Sequence, residues 1–123
     1  MATPHAHRTI MVVEDEPAIR GLLTLTLEAE DYDVVTAEDG QDALSKVAKH
    51  KPDALVLDLM LPKVDGWQVI DSLDHDYQDG SIPIIAVTAG ARKVTVGEHG
   101  VRAFLSKPYD LDTLLVTLDQ ALQ

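Results

Sequence analysis

Five short apolar runs, separated by longer amphipathic stretches, constrain the fold of this chain more than any other feature. Runs of this length favour β-strands, while the stretches between them repeat apolar residues at helical spacing. Strands that alternate with helices predict βαβ units, right-handed crossovers and a parallel sheet covered on both faces. We therefore predict one doubly wound α/β domain with a five-stranded parallel sheet. The predicted strands are Thr9–Val13, Asp33–Ala37, Ala54–Leu57, Ile82–Val87 and Ala103–Ser106.

Local signals place several element ends. Pro17 suits the first turn of the helix that follows the first strand, because that turn needs no backbone N–H from it. Asp39 is placed to cap the next helix, and Pro52 ends it. Ala54–Leu57 is apolar on both faces, which predicts a central strand of the sheet.

Size and charge exclude several classes of protein. A chain of 123 residues is the length of one domain, for which we predict residues 9–123, preceded by a short polar lead-in at residues 1–8. The net charge of −11 argues against direct binding of nucleic acid or an anionic membrane, but it is compatible with binding a cation. The absence of cysteine excludes disulfides and thiolate sites, and no apolar run is long enough to span a bilayer. We expect a cytoplasmic protein.

Polar residues follow the ends of four predicted strands. Glu14 and Asp15 follow the first, Asp58 the third, Thr88 the fourth and Lys107 the fifth. Ligands of open parallel sheets bind outside the carboxyl ends of the strands, so these five side chains are predicted to share one crevice. The alternative is that each of them only caps a helix or faces solvent, but their common placement favours a site.

The residue types in this crevice predict phosphoryl chemistry. Clustered carboxylates repel one another unless a proton, a cation or a neighbouring lysine offsets the repulsion. An all-oxygen, acid-rich site suits Mg²⁺, which uses one or two carboxylates and leaves positions for phosphoryl oxygens. Asp58 would then accept the group as an acyl phosphate, while Lys107 and the hydroxyl of Thr88 share its charge.

These motifs resemble the receiver domain of two-component response regulators, including single-domain receivers of the chemotaxis type. The resemblance extends from about Thr9 to Leu122. It implies the flavodoxin-like strand order 2-1-3-4-5. The motifs that carry it are Glu14-Asp15, Asp58 with Pro62 and Asp65-Gly66, Thr88-Ala89, and Lys107-Pro108.

The resemblance also implies a role for each matching residue. Asp58 is the implied phosphoacceptor, and a phosphohistidine of a sensor kinase or phosphotransfer protein is the implied donor. Thr88 and Lys107 match residues that bind the phosphoryl oxygens, and Phe104 occupies the position of the switch aromatic. The Lys107–Pro108 peptide bond is expected to be cis. The implied Mg²⁺ ligands are Glu14, Asp15, Asp58 and the backbone carbonyl of Met60.

Two features depart from the family pattern. Only 19 positions separate Thr88 from Lys107, about one helical turn fewer than usual. The intervening Gly90–Gly100 is rich in β-branched residues and glycine, so we expect the fourth helix of the fold to be short or irregular and partner docking to be non-standard. Phe104 lacks a hydroxyl, so it can only exchange packing, and a role as a plain core residue is an equal alternative.

The sequence is compatible to different degrees with four functions. The leading one is a phosphorylation-controlled module that catalyses only its own phosphotransfer and dephosphorylation, acts as a monomer or weak dimer, and signals to an effector that the sequence does not name. The alternative is a degenerate receiver that binds partners independently of phosphorylation. An aspartyl phosphatase is disfavoured because Met60 stands where a second acid is needed. A dinucleotide enzyme is weakest, since acids follow the first strand instead of glycines.

Overall fold

A five-stranded parallel sheet organises the chain. The computed structural model describes residues 8–60, 66–76, 82–88 and 101–123. Spatial order in the sheet is β2-β1-β3-β4-β5, and every neighbouring pair is parallel. The predicted fold class and strand order are therefore confirmed. The strands are β1 (Thr9–Val13), β2 (Asp33–Ala37), β3 (Ala54–Asp58), β4 (Ile84–Thr88) and β5 (Val101–Ser106).

Four helices are described, and local sequence explains their ends. They are α1 (Pro17–Ala29), α2 (Gly40–His50), α3 (Gly66–Asp76) and α4 (Leu111–Ala121). Pro17 occupies the first turn of α1 as predicted. Asp39 caps α2 by accepting a hydrogen bond from the backbone N–H of Asp42 at 2.8 Å. The expected fourth helix at residues 90–100 lies outside the described residues.

Some predicted boundaries were wrong. β4 begins at Ile84 instead of Ile82, because Pro83 has no N–H to donate to a neighbouring strand. β5 begins two residues earlier than predicted, at Val101, where a register shift against β4 interrupts the alternation of apolar residues. α3 continues through Asp76, whereas the sequence suggested a connection from Asp74 onward.

Apolar side chains fill both faces of the sheet. One cluster packs the sheet against α2 and α3, and includes Met11, Leu57 and Ile70. The other packs it against α1 and α4, and includes Leu27 and Leu114. All residues of β3 and β4 are buried, which confirms that β3 is a central strand. None of the helices in the described ranges combines the length and apolar composition that a bilayer crossing requires.

Candidate functional site

The carboxyl end of the sheet positions the candidate site because backbone pairing continues one residue past three strands. The N–H of Glu14 donates to the carbonyl of Ala37 at 3.1 Å, and the N–H of Lys107 donates to the carbonyl of Thr88 at 2.8 Å. The N–H of Leu59, directly after Asp58, donates to the carbonyl of β4 residue Val87 at 2.8 Å. These bonds fix the backbone on which the polar side chains stand.

Three carboxylates converge at this edge of the sheet. Oxygen atoms of Glu14, Asp15 and Asp58 all lie within 4.8 Å of one another. Glu14 and Asp58 are only 3% and 4% exposed, whereas Asp15 faces solvent. A cluster of this kind, with two buried carboxylates and one open to water, matches the oxygen ligands and retained waters that Mg²⁺ prefers. The residues present therefore fit the ion that the sequence predicted.

Lys107 brings a positive charge into the acidic cluster. Its Nζ lies 2.8 Å from Oδ2 of Asp58 and 3.7 Å from Oε1 of Glu14. Burial by itself lowers the pKa of Lys107, but the hydrogen bond and charge of Asp58, together with the charge of Glu14, raise that pKa above its ordinary value overall. The ammonium is therefore held charged beside the carboxylate of Asp58.

Glu14 is the carboxyl of the cluster whose pKa is raised by its surroundings. Burial raises the pKa of its carboxyl above the ordinary value, and the negative charge of Asp58 raises it further. The N–H of Glu16, which donates to Oε2 of Glu14 at 3.1 Å, and the charge of Lys107 both oppose the shift. Because burial is the largest cause of the upward shift, the surroundings of Glu14 oppose its charged form when no cation is bound.

Arg20 is a supporting residue that sequence analysis missed. Its guanidinium donates to the backbone carbonyl of Glu14 at 2.8 Å and to that of Asp15 at 3.4 Å. These bonds tie the loop that carries both acids to the side of α1. The sequence contained a signal for this role. A positive charge in the first turn of a helix is unfavourable beside the helix dipole, so an arginine at that position indicates a specific contact.

The backbone after Asp58 supports its carboxylate from the other side. The N–H of Met60 donates to Oδ1 of Asp58 at 2.9 Å, while the side chain of Met60 is 67% exposed. Gly66 passes so close that a Cβ there would lie 2.5 Å from the Cα of Leu59 and 2.9 Å from the carbonyl oxygen of Asp58. Sequence analysis identified Gly66 only as part of a motif and missed this contact.

Thr88 and Phe104 lie on neighbouring strands at the same end of the sheet. Thr88 is the last residue of β4 and is 5% exposed. Phe104 is half-buried on β5, and its ring lies 6.5 Å from that of Trp67 at an angle of 35°. Phe104 thus packs against a partner that sequence analysis did not assign to it.

An apolar groove opens beside the charged cluster. Its volume is about 440 Å³, and its walls come from α1, from the start of α4 and from the segment between β5 and α4. The side chain of Leu22 on α1 is 52% exposed at this groove, and the stem of Lys107 also lines it. The peptide bond between Lys107 and Pro108 is cis, as the sequence analysis expected. The complete lining is Ile19, Leu22, Leu23, Lys107, Pro108, Tyr109 and Leu111.

Fold and site together define a class of protein: a doubly wound domain with an acidic pocket and a lysine at the carboxyl ends of its strands. The family model described as "Response regulator receiver domain" matches residues 10–119. The chain belongs to this family, as the resemblance in sequence had indicated.

Relatives of two different lengths resemble the chain. It is 34% identical over 116 residues to Protein PilH of Pseudomonas aeruginosa, a match that covers 92% of this chain and 96% of PilH. It is 42% identical over 106 residues to the alkaline phosphatase synthesis transcriptional regulatory protein PhoP of Bacillus subtilis, covering 84% of this chain and 43% of PhoP. The chain thus spans less than half of PhoP and nearly all of PilH.

Solved structures share the fold over almost the whole chain. The chemotaxis response regulator CheY4 of Vibrio cholerae superposes with a TM-score of 0.85 at 29% identity, covering 95% of this chain and 100% of CheY4. The BeF3-activated receiver domain of Klebsiella pneumoniae RstA superposes with a TM-score of 0.82 at 30% identity, covering 94% and 99% respectively.

Membership of the family identifies the general function. The chain is a receiver domain of two-component signal transduction, a phosphorylation-based regulator and not a classical enzyme. Receiver domains bind Mg²⁺ in an acidic pocket and interact with histidine kinases or phosphotransfer proteins. The alternative of a degenerate, phosphorylation-independent module is not favoured.

Proposed function

We propose that Asp58 accepts the phosphoryl group in this receiver domain. The observation that carries the proposal is the position of the Asp58 carboxylate, which is 4% exposed and lies 2.8 Å from the ammonium of Lys107 within the cluster that includes Glu14 and Asp15. An oxygen of Asp15 lies within 4.8 Å of oxygens of Glu14 and Asp58, but this residue faces solvent. A buried carboxylate that is fixed at both oxygens is oriented for attack on an incoming phosphorus atom.

The proposed phosphoryl transfer requires only the phosphohistidine donor and a proton from solvent. A carboxylate oxygen of Asp58 forms a bond to the phosphorus of a phosphohistidine, the P–N bond breaks, and the released imidazole nitrogen takes a proton from solvent. Lys107 and the hydroxyl of Thr88 then bind the phosphoryl oxygens, where the negative charge is spread. Attack by water on the acyl phosphate later regenerates the Asp58 carboxylate and releases inorganic phosphate. We propose that the chain catalyses this dephosphorylation of itself.

Mg²⁺ is the proposed cofactor. Glu14, Asp15, Asp58 and the backbone carbonyl of Met60 are the residues that would hold it. When bound, the ion supplies positive charge for the oxygens of the phosphoryl group. The chain's own contribution is to gather these oxygens in one place, where burial and, after it, the charge of Asp58 raise the pKa of Glu14.

We further propose that Thr88, Phe104 and Lys107 transmit the phosphorylated state. A phosphoryl group on Asp58 would draw Lys107 away from Glu14 and engage the hydroxyl of Thr88. Thr88 and Phe104 lie on adjacent strands, so movement of Thr88 would alter the packing of Phe104 against Trp67. The effector that reads this change remains unnamed, and docking near residues 90–100 stays a prediction.

We assign residues 9–123 to the receiver domain and residues 1–8 to a lead-in, and we propose a cytoplasmic location. We expect the phosphodonor to be a sensor histidine kinase or phosphotransfer protein that approaches across α1, where Leu22 at the groove and Leu25 are exposed. With a net charge of −11, the domain is not expected to contact nucleic acid or membrane directly. A monomer or weak dimer is the expected state.

Intact-mass spectrometry tests the phosphoacceptor directly. The parent protein is incubated with Mg²⁺ and acetyl phosphate, and separately with phosphoramidate, whose P–N bond resembles that of phosphohistidine. We expect one added phosphoryl group on the parent and none on Asp58→Asn.

Asp53→Asn is the matched control, because Asp53 lies at the opposite end of β3 and is exposed. This variant should take up one group like the parent. Phosphorylation of Asp58→Asn to the parent level would overturn the assignment. Absence of any adduct on the parent, also with a phosphorylated kinase as donor, would support a module that acts without phosphorylation.

A further inference from the structure

The loop between β1 and α1 carries two of the three clustered acids, and its backbone is held from two sides. The N–H of Glu14 donates to the carbonyl of Ala37 at 3.1 Å, which pairs the start of the loop with β2. From the side of α1, Nη1 of Arg20 donates to the carbonyl of Glu14 at 2.8 Å and to that of Asp15 at 3.4 Å. One nitrogen atom therefore bridges two consecutive peptide groups of the loop.

The second of these peptide groups connects Arg20 to the carboxylate of Glu14. Its carbonyl belongs to Asp15 and accepts from Arg20, while its N–H belongs to Glu16 and donates to Oε2 of Glu14 at 3.1 Å. The C=O and N–H of a trans peptide point in opposite directions, so the guanidinium binds one end of this group and the carboxylate binds the other. Rotation of the peptide group would break both bonds. Arg20 thus acts on the orientation of the Glu14 carboxylate through the main chain.

We propose that Arg20 is a positioning residue for the divalent cation, which presets the carboxylates of Glu14 and Asp15 by fixing the two peptide groups between them and α1. The inference rests on the proposed ion site, in which oxygens of Glu14, Asp15 and Asp58 lie within 4.8 Å of one another. Without the guanidinium, the loop would have to be ordered when the ion binds, and the cost of that ordering would weaken binding.

Charge and positioning predict opposite effects of removing Arg20. The guanidinium is a positive charge beside the loop, so as a charge it repels a cation, and its removal would tighten the binding of Mg²⁺. As a positioning group it prepares the ligands, and its removal would weaken the binding. Arg20→Met retains an apolar stem and a good helix former in α1. We expect the Mg²⁺ dissociation constant of this variant to rise about tenfold, the lower end of the range for residues that orient metal ligands.

Isothermal titration calorimetry of the full chain with Mg²⁺ measures this dissociation constant directly. Arg102→Met is the matched control, because Arg102 is exposed on β5 and its substitution removes the same charge. This control should bind Mg²⁺ as tightly as the parent or slightly more tightly. Arg20→Lys keeps the charge and one nitrogen donor on a shorter stem, so we expect a smaller loss, of about threefold. Arg20→Lys decides the question if Arg20→Met does not fold, and a parent-like dissociation constant would then overturn the proposal.

Phosphorylation by acetyl phosphate gives a second readout, which a loss of folded protein would not reproduce. The Mg²⁺ concentration for half-maximal phosphorylation of Arg20→Met should rise about tenfold, in parallel with the dissociation constant, whereas the rate at saturating Mg²⁺ should fall far less. A merely structural defect would lower the rate at saturating Mg²⁺ and leave the half-maximal concentration unchanged, and that result would overturn the proposal.

The outcomes separate this inference from the proposed function. An unchanged or lower dissociation constant in Arg20→Met, or an equal rise in Arg102→Met, overturns the role of Arg20 while the ion site stands. Absence of Mg²⁺ binding by the parent overturns the ion site and this inference with it. A parent that binds Mg²⁺ but takes up no phosphoryl group overturns the role of Asp58, and the comparison of dissociation constants still decides the role of Arg20.

Discussion

The two ends of the sheet differ in how their charged side chains are accommodated. At the amino end, the exposed Asp53 accepts a hydrogen bond from the N–H of Thr9 at 2.7 Å, and Arg8 reaches the carbonyl of Leu122 at 3.4 Å. Each of these charged groups lies near water and meets a backbone partner. At the carboxyl end, Glu14 and Asp58 are buried beside each other. The contacts at the amino end stabilise the fold, whereas the carboxyl end retains charge repulsion that a ligand can relieve.

The largest effect on stability is expected where the chain packs most tightly at the carboxyl end. Gly66→Ala would place a Cβ 2.5 Å from the Cα of Leu59, so the backbone after Asp58 must move. We expect the free energy of unfolding to fall by about 2–3 kcal/mol, as for other overpacked sites. Phosphorylation should slow as well, because the displaced backbone supports Asp58. Chemical denaturation and intact mass measure the two effects.

Gly21→Ala is the matched control. Gly21 lies within α1 with no atom within 4 Å of its added Cβ. Alanine at an open helical position should raise the free energy of unfolding by about 0.5–1 kcal/mol. Equal effects of the two substitutions would contradict the close approach at Gly66.

The next effect concerns Lys107, whose ammonium pairs with the carboxylates of both buried acids. Lys107→Met keeps an apolar stem against the groove but leaves Asp58 and Glu14 without their ammonium partner. We expect a loss of about 1–2 kcal/mol in magnesium-free buffer, a value below that of a fully buried pair because Lys107 is partly exposed. Urea denaturation with EDTA measures it. Mg²⁺ should then stabilise the variant more than the parent, and a smaller stabilisation would argue against the proposed ion site.

A smaller effect, of opposite sign, is expected at Glu14. Its pKa in the folded protein lies above the ordinary value of 4.5. The protonated carboxyl therefore contributes stability below the unfolded-state pKa, and this contribution is lost as the pH rises through the folded-state pKa. Glu14→Gln cannot ionise, so without Mg²⁺ we expect its free energy of unfolding at pH 7 to exceed that of the parent.

Denaturation at several pH values checks the direction. The advantage of Glu14→Gln should shrink as the pH is lowered toward 4 and should grow on returning to neutrality. Saturating Mg²⁺ should reduce the advantage at pH 7, because the ion relieves the same repulsion in the parent. An advantage that does not change with pH would show that ionisation of Glu14 is not its cause.

The smallest effect is expected at the amino end. Asp53→Ala removes the acceptor for the N–H of Thr9, but that N–H then meets water because the bond is exposed. We expect a loss of about 0.5 kcal/mol, the lower range for a single hydrogen bond. The loss should not depend on Mg²⁺. A difference in melting temperature between this variant and the parent that changes with Mg²⁺ would contradict the distinction between the two ends.

Several features were predictable because they follow from short-range rules. Asp39 was expected to cap α2 because an aspartate before a helical pattern satisfies the first free N–H groups. Central placement of β3 followed from an apolar run with no polar face. The predicted start of β5 was wrong because its true start at Val101 depends on pairing with β4, which a single segment does not encode.

The sequence by itself determined that Glu14, Asp15, Asp58, Thr88 and Lys107 would meet at one edge, because parallel strands direct all their carboxyl ends the same way. Only the tertiary structure decided which charges touch. It placed Lys107 closer to Asp58 than to Glu14, held the acidic loop with Arg20, and brought Gly66 against Leu59. The contacts of Lys107 join segments distant in sequence, and the geometry of all these contacts depends on packing to within an ångström, which residue type and spacing do not specify.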